Sequence, residues 1–400
     1  MKDPSGNRRV LVMLAYLGFV GIGLPDGVLG VAWPSIRATF QLPVDALGTL
    51  LVTSTAGYMI STFRSGWLRA RMHTGLLLAF SCLAMGVCFW GFAVAGRWAV
   101  MIALSVAGGF GAGAIDAGLN TYAAENFSRR TVNWLHASYG LGAAAGPILM
   151  TAILLAGRPW RLGYAAVGAG QAILALCFLM TRNSWNASSS EAVPRTSRTT
   201  PALSTLRLPI AQLSVLAFFI YTGIEAAAGT WAYSLFTEAR NVETKTAGAW
   251  VSVYWAALTL GRIISGLIAN RISPLAMMRV CLLGIAGGVA LLWLNFTDTL
   301  SFAGLSLAGL FAAPVFPTLI SITPAKLGSA HTPNSIGFQL AGAVMGQALL
   351  PSVIGWLAGM SSLEVIGPAL FASSVILFAI HEATVLLESR AAPDRRSVPA

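Results

Sequence analysis

Twelve apolar runs, each long enough to cross a bilayer, dominate the chain. A crossing helix needs about 20 mostly apolar residues. Scanning with that length places the first six spans near residues 10–36, 46–66, 75–95, 98–124, 132–156 and 160–182. The second six fall near 208–236, 246–270, 275–295, 299–323, 333–358 and 363–388. Only 10% of the 400 residues are charged, against about 25% in a soluble domain. The expected fold class is an all-α membrane protein with twelve transmembrane helices. The first run lacks a small-residue cleavage site and is too long for a signal-peptide core, so it is expected to stay as span one.

The formal net charge of +11 has two readings, nucleic acid or membrane topology. No basic stripe is interleaved with aromatics, which argues against nucleic acid. With the N-terminus placed in the cytoplasm, eighteen of the Lys and Arg residues fall on inner segments and six on outer loops. That bias sets both termini inside, as in a multi-pass protein of the cell inner membrane. Arg262 alone is left within a span. Cys82, Cys88, Cys177 and Cys281 sit in apolar runs without ligand spacing, so they read as core residues rather than metal ligands. No Walker loop is present, and no nucleophile or metal cluster marks an enzyme or a cofactor site.

Residues 183–207 are rich in Ser, Thr and Arg and read as a cytoplasmic linker. They divide an N-terminal half, 1–182, from a C-terminal half with its tail, 208–400. The halves repeat at an offset near 200 residues. Gly66 and Arg71 follow span two as Gly266 and Arg271 follow span eight. Gly142 and Gly146 match Gly342 and Gly346. Asp26 precedes Gly30 and Trp33 in span one as Glu225 precedes Gly229 and Trp231 in span seven. Two pseudo-symmetric six-helix bundles, with a substrate site between them near the midplane, follow from that common offset.

The chain resembles the major facilitator superfamily along nearly its whole length. The loop after span two is similar to its Gly-x-x-x-Asp-Arg signature, but Ala70 takes the acidic place, and Asn270 takes it in the second half. Within the superfamily the resemblance is strongest to the fucose–galactose–glucose:proton symporters. Four stretches carry it: Asp26 in span one, Asp116-Ala-Gly-Leu-Asn120 in span four, Leu135 to Pro147 in span five and Tyr221 to Trp231 in span seven. Thr121 stands where the family pattern has Pro. The resemblance implies proton-coupled sugar uptake without naming the sugar.

An acidic side chain at membrane depth is costly and marks a functional site by default. A carboxyl in low dielectric also takes up a proton more readily than one in water. Asp26 and Asp116 are the first candidates for proton coupling; the bland reading is a carboxyl bonded to its own helix or a neighbour. Asn120 lies one turn from Asp116 and suits a solute hydroxyl. Glu225 has three readings: a further proton site, a solute ligand or the partner of Arg262. Glu125 is placed at the cytoplasmic mouth, solvated or paired with Arg129 or Arg130 in a gate. Arg71 and Arg271 are candidate gate residues that cap helix ends. His136 and Asn133, near the inner end of span five, read as helix contacts or as a proton relay. Gln339 and Gln347 bind either hydroxyl-rich cargo or neighbouring helices. Tyr139, Tyr221, Trp231, Tyr254 and Trp255 could cover the apolar face of a sugar or sit at membrane edges.

These features point to a secondary transporter, a monomer in membrane lipid, moving a small sugar-like solute with protons or sodium. The competing reading is a proton-driven exporter of drugs or metabolites. It rests on Gly142-x-x-x-Gly146-Pro147, which partly resembles an antiporter signature that Met150 and Thr151 do not complete.

Overall fold

The computed structural model describes residues 4–185, 200–268 and 271–391. Asn270 and most of the linker, including Arg195 and Arg198, lie outside the described residues. Twelve helices are long and apolar enough to span a membrane. In order they are Pro4–Phe40, Ala46–Arg71, Thr74–Val94, Trp98–Asn126, Arg129–Leu155 and Trp160–Met180, then Pro209–Ser234, Thr244–Ile268, Pro274–Leu294, Asp298–Leu327, Thr332–Met360 and Ile366–Ala391. This is a multi-pass, all-α membrane protein.

Three local departures refine the hydropathy reading. Span one stays a single helix through Pro25 and Pro34. Span seven ends in a π-helical turn, Leu235–Ala239. Span ten breaks into Asp298–Ala312 and Val315–Leu327, where Pro314 interrupts the backbone ladder.

The two halves are built alike. In the first, span one packs on five, two on four, three on four and three on six. In the second, seven packs on eleven, eight on ten, nine on ten and nine on twelve. Each pair maps onto its counterpart by adding six. The contacts between halves obey the same rule: two meets eleven, five meets eight, and one meets seven.

The repeated glycines show how sequence makes that packing. A Cβ on Gly142 would lie 2.3 Å from the Val20 carbonyl oxygen in span one, and a Cβ on Gly346 would lie 2.0 Å from that of Phe219 in span seven. Spans five and eleven therefore approach one and seven backbone to backbone, which only small residues permit. Gly30 does the same between halves, where a Cβ would sit 2.8 Å from the Thr230 carbonyl oxygen and 2.9 Å from that of Gly229.

The bundle has two ends. The basic end carries Arg8, Arg69, Arg182, Arg207 and Arg279; the far end carries Arg37, Arg97, Arg158 and Arg240. The halves are tied together toward the far end. There Arg37 of span one pairs with Glu238 of span seven, and Ser352 Oγ donates to the Gly48 carbonyl at 3.4 Å. At the basic end, ion pairs among the described residues stay inside one half: Arg69–Glu125, Arg279–Glu382 and Lys326–Glu388. Among the described residues, no ion pair joins the halves at the basic end.

Gly30→Leu is expected to wedge the far end open. A cysteine placed at Ser352 should then react faster with a membrane-impermeant thiol reagent, and transport should fall roughly tenfold, the cost of an overpacked contact of about 1–3 kcal/mol. Unchanged labelling would show that the contact at Gly30 does not hold that end.

Candidate functional site

Near mid-span, helices one, five, seven and eight bring ionisable groups of the two halves toward one another. Asp26 is exposed although it lies mid-span. Pro25 and the glycines do not unwind its helix, so its carboxylate is not spent on freed backbone amides. Tyr139 of span five donates to Asp26 Oδ2 at 2.5 Å, and among the described residues no other group bonds the carboxylate. Across the gap, Glu225 lies within electrostatic reach of Asp26.

Glu225 is differently placed. It is 6% exposed. Tyr221, one turn earlier on the same helix, donates to its Oε2. Arg262 Nη2 of span eight donates to Oε1 at 3.4 Å. This contact is the Arg262 pairing, one of the readings of Glu225 from sequence. The guanidinium keeps part of its surface open and lies within electrostatic reach of Tyr139 and His136 in the other half. The pair therefore faces the first half while being built wholly by the second.

Asp116 sits in a denser cradle. Tyr58 of span two donates to Oδ2 at 2.5 Å, and Asn120 Nδ2 donates to Oδ1 at 2.9 Å. Both oxygens have partners, and Asn120 is occupied with Asp116 rather than free for a solute hydroxyl. His136 is exposed, meets Phe19 edge to face at 5.5 Å and lies within electrostatic reach of Asp116. The side chains of Asn133, Arg129 and Arg130 lie outside the described residues. Each of the three membrane carboxylates thus has one tyrosine hydroxyl, but only Asp26 lacks a second donor.

Several candidate solute contacts bond neighbouring helices. Gln339 is 1% exposed and donates to Ser214 at 2.5 Å and to Thr323 at 2.9 Å. Trp231 is fully buried, and its Nε1 donates to the Pro351 carbonyl at 2.9 Å. Tyr254 donates to the backbone carbonyl of Glu225 at 2.8 Å, fixing the helix that carries the ion pair. These side chains satisfy polar groups between helices, where water is scarce. Gln347 is exposed. Trp255 is buried against Gly229, and its Nε1 has no partner.

The gate readings change as well. Glu125 pairs with Arg69 at 3.2 Å, inside the first half. Arg71 stacks on Trp67 of its own helix at 4.2 Å rather than capping a neighbour. Arg271 is exposed, and its described bond is the backbone one to Ile268. Among the described residues, none of these joins the halves. An ion pair that does is Arg37 to Glu238, which the repeated motifs do not mark. Tyr58 was missed too. Its signal was the polar run Thr53, Ser54, Thr55, Tyr58, Ser61 and Thr62, which makes span two the least hydropathic of the twelve.

Gln339→Leu offers a check on this division. It should lower thermal stability by about 1–3 kcal/mol, because Ser214 and Thr323 lose their partner, and leave the KM for transport unchanged. A raised KM with unchanged stability would return Gln339 to the solute site.

The Major Facilitator Superfamily profile matches residues 15–338. The chain belongs to that superfamily. Its members are transporters rather than enzymes, and they work by alternating access. Among curated relatives, the zebrafish (Danio rerio) sodium-dependent glucose transporter 1 is 23% identical over 389 residues, 88% of this chain and 65% of that one. The major facilitator superfamily domain-containing protein 4A of Xenopus tropicalis is 29% identical over 191 residues, 46% of this chain and 38% of that one. The chain therefore spans less than two thirds of either relative. The glucose/mannose transporter GlcP of Bacillus subtilis is 22% identical, with 87% and 88% covered. Solved structures share the fold. A bacterial homologue of the human lysosomal transporter Spinster, in an inward-facing and occupied conformation, superposes with a TM-score of 0.78 at 14% identity, covering all of both chains. FucP, in the outward conformation, gives 0.61 at 16% identity, covering 93% of this chain and 98% of that one.

Proposed function

We propose that the protein is a proton-coupled symporter that takes up a sugar or a similar small polar solute. The observation that carries this reading is Asp26: a carboxylate at mid-membrane, exposed between the halves, held by a single tyrosine and facing the ion pair of the opposite half. A proton taken up there neutralises the acid before the chamber closes. Desolvating a neutral carboxyl costs far less than desolvating a charge. Solute hydroxyls bridge Asp26 and Tyr139 on one side to Arg262 on the other, so that binding draws the halves together at the basic end while the Arg37–Glu238 tie lets go. With the basic end cytoplasmic, the Arg37–Glu238 tie at the far end fits a carrier closed on the outer side. Asp116 joins Asp26 as the second proton-handling carboxylate, one that Tyr58 and Asn120 tune.

Sugar cargo is supported by the tyrosine-rich wall and by relatives named as glucose transporters. One of those relatives is named sodium-dependent, so the coupling ion has to be tested directly. Purified protein in sealed vesicles is given a panel of sugars and drugs, with a pH gradient and a sodium gradient imposed separately. Uptake of a sugar driven by the pH gradient, with acidification of the vesicle lumen, is the expected result. Uptake that responds only to sodium, or drug efflux without sugar movement, would overturn it.

A further inference from the structure

A cavity lies inside the C-terminal half at the basic end. It has a volume of about 450 Å³ and opens between spans seven, nine, ten and twelve. Three observations at this cavity point to a ligand. Its wall is apolar along Ile210, Leu275, Met278, Ile322 and Val385. Its mouth carries one cation and one anion, Lys326 and Glu388, paired at 2.7 Å, with side chains that are 16% and 33% exposed. Between mouth and apolar wall sits His381, only 6% exposed, with a buried Nε2 that has no hydrogen-bond partner. An unpaired buried polar atom costs about 1–3 kcal/mol, so a partner supplied from outside the chain removes a real penalty. Neither the proton path nor the solute path uses any of these residues.

The order of groups is that of an amphipathic molecule. We propose that this crevice is a binding site for a phospholipid with a zwitterionic, primary-amine headgroup, the phosphatidylethanolamine type. The phosphate lies against Lys326, the ammonium against Glu388, a glycerol or ester oxygen meets His381 Nε2, and the start of one acyl chain lies along the apolar wall of Ile210, Met278 and Ile322. The charge pair selects this headgroup. An anionic headgroup satisfies Lys326 but leaves Glu388 facing negative charge, and a choline headgroup has no N–H to give Glu388. The volume suits part of one lipid, within the roughly 300–1,000 Å³ of small-molecule sites.

The test reads lipid occupancy and leaves transport out. The full chain is delipidated in detergent, then exposed to equimolar phosphatidylethanolamine, phosphatidylcholine and phosphatidylglycerol, and the retained lipid is identified by native mass spectrometry. One phosphatidylethanolamine retained in about tenfold preference, the worth of one charge-assisted hydrogen bond, is the expected result. Glu388→Ala should abolish the preference for phosphatidylethanolamine, and Met278→Trp, which fills the crevice and leaves the charges alone, should abolish retention. Equal retention of the three lipids, or phosphatidylethanolamine held undiminished by both variants, would overturn the proposal. If a variant does not fold, the wild-type competition decides alone.

Discussion

Vesicles bearing Asp26→Asn protein are expected to exchange solute across the membrane but not to accumulate it. Asparagine imitates the protonated acid in shape and lacks its charge, so the carrier can still close and reorient when loaded. It cannot release a proton, and the link between solute and ion is cut. Moving one elementary charge through 100 mV is worth about 2.3 kcal/mol, enough for a roughly fifty-fold solute gradient. The wild type should approach that ratio, and the variant should stop at equal concentrations on both sides. Counterflow of labelled solute should persist within a few-fold. Tyr139→Phe should give a milder version, because it removes the one donor that Asp26 has. Asp26→Asn vesicles that still concentrate solute would move the coupling role elsewhere, with Asp116 next in line.

The second large effect concerns Glu225 and Arg262. Arg262→Leu leaves Glu225 buried and facing only Tyr221. Breaking a buried pair by removing one partner costs about 3–5 kcal/mol, most of it the penalty of the stranded charge. The variant should therefore show a large fall in thermal stability together with loss of transport. Arg262→Leu combined with Glu225→Leu removes both charges and should regain most of the stability, since apolar replacement of a buried pair is often neutral. Transport should not return, because the face presented to Asp26 and to the solute is gone. A double variant that transports normally would make the pair a packing device only. A single variant as stable as the wild type would mean that water already reaches Glu225.

The same pair shows where sequence reading stops. Glu225 and Arg262 are legible as costly charges because hydropathy is a local property of consecutive residues. That one answers the other depends on the crossing of spans seven and eight, which no local pattern encodes. Gln339 illustrates the converse. Its residue type suits a sugar hydroxyl and a helix contact equally well, and only its surroundings, Ser214 on span seven and Thr323 on span ten, decide between them. Trp231 and Tyr254 were ambiguous for the same reason. Asn120 is a milder case: the spacing places it beside Asp116, and the amide turns toward that carboxylate instead of outward.

The gate illustrates a different limit. A repeated motif marks Arg71 and Arg271, yet among the described residues neither bonds the opposite half. The residues that join the halves, Arg37 and Glu238, differ in type and so do not register as a repeat. Glu238 sits on the π-helical turn that ends span seven, a geometry frequent at functional positions in helices.

By itself the sequence determined the twelve spans, the two-fold repeat, the basic end and the few membrane charges, since each of these is read from residue type and spacing along one chain. The tertiary structure decided which carboxylate stays open, which is sealed by arginine, and at which end the halves touch. Those outcomes rest on pairs of side chains far apart in sequence, such as Tyr58 with Asp116 and Arg37 with Glu238, and a hydrogen bond or an ion pair exists only at contact distance.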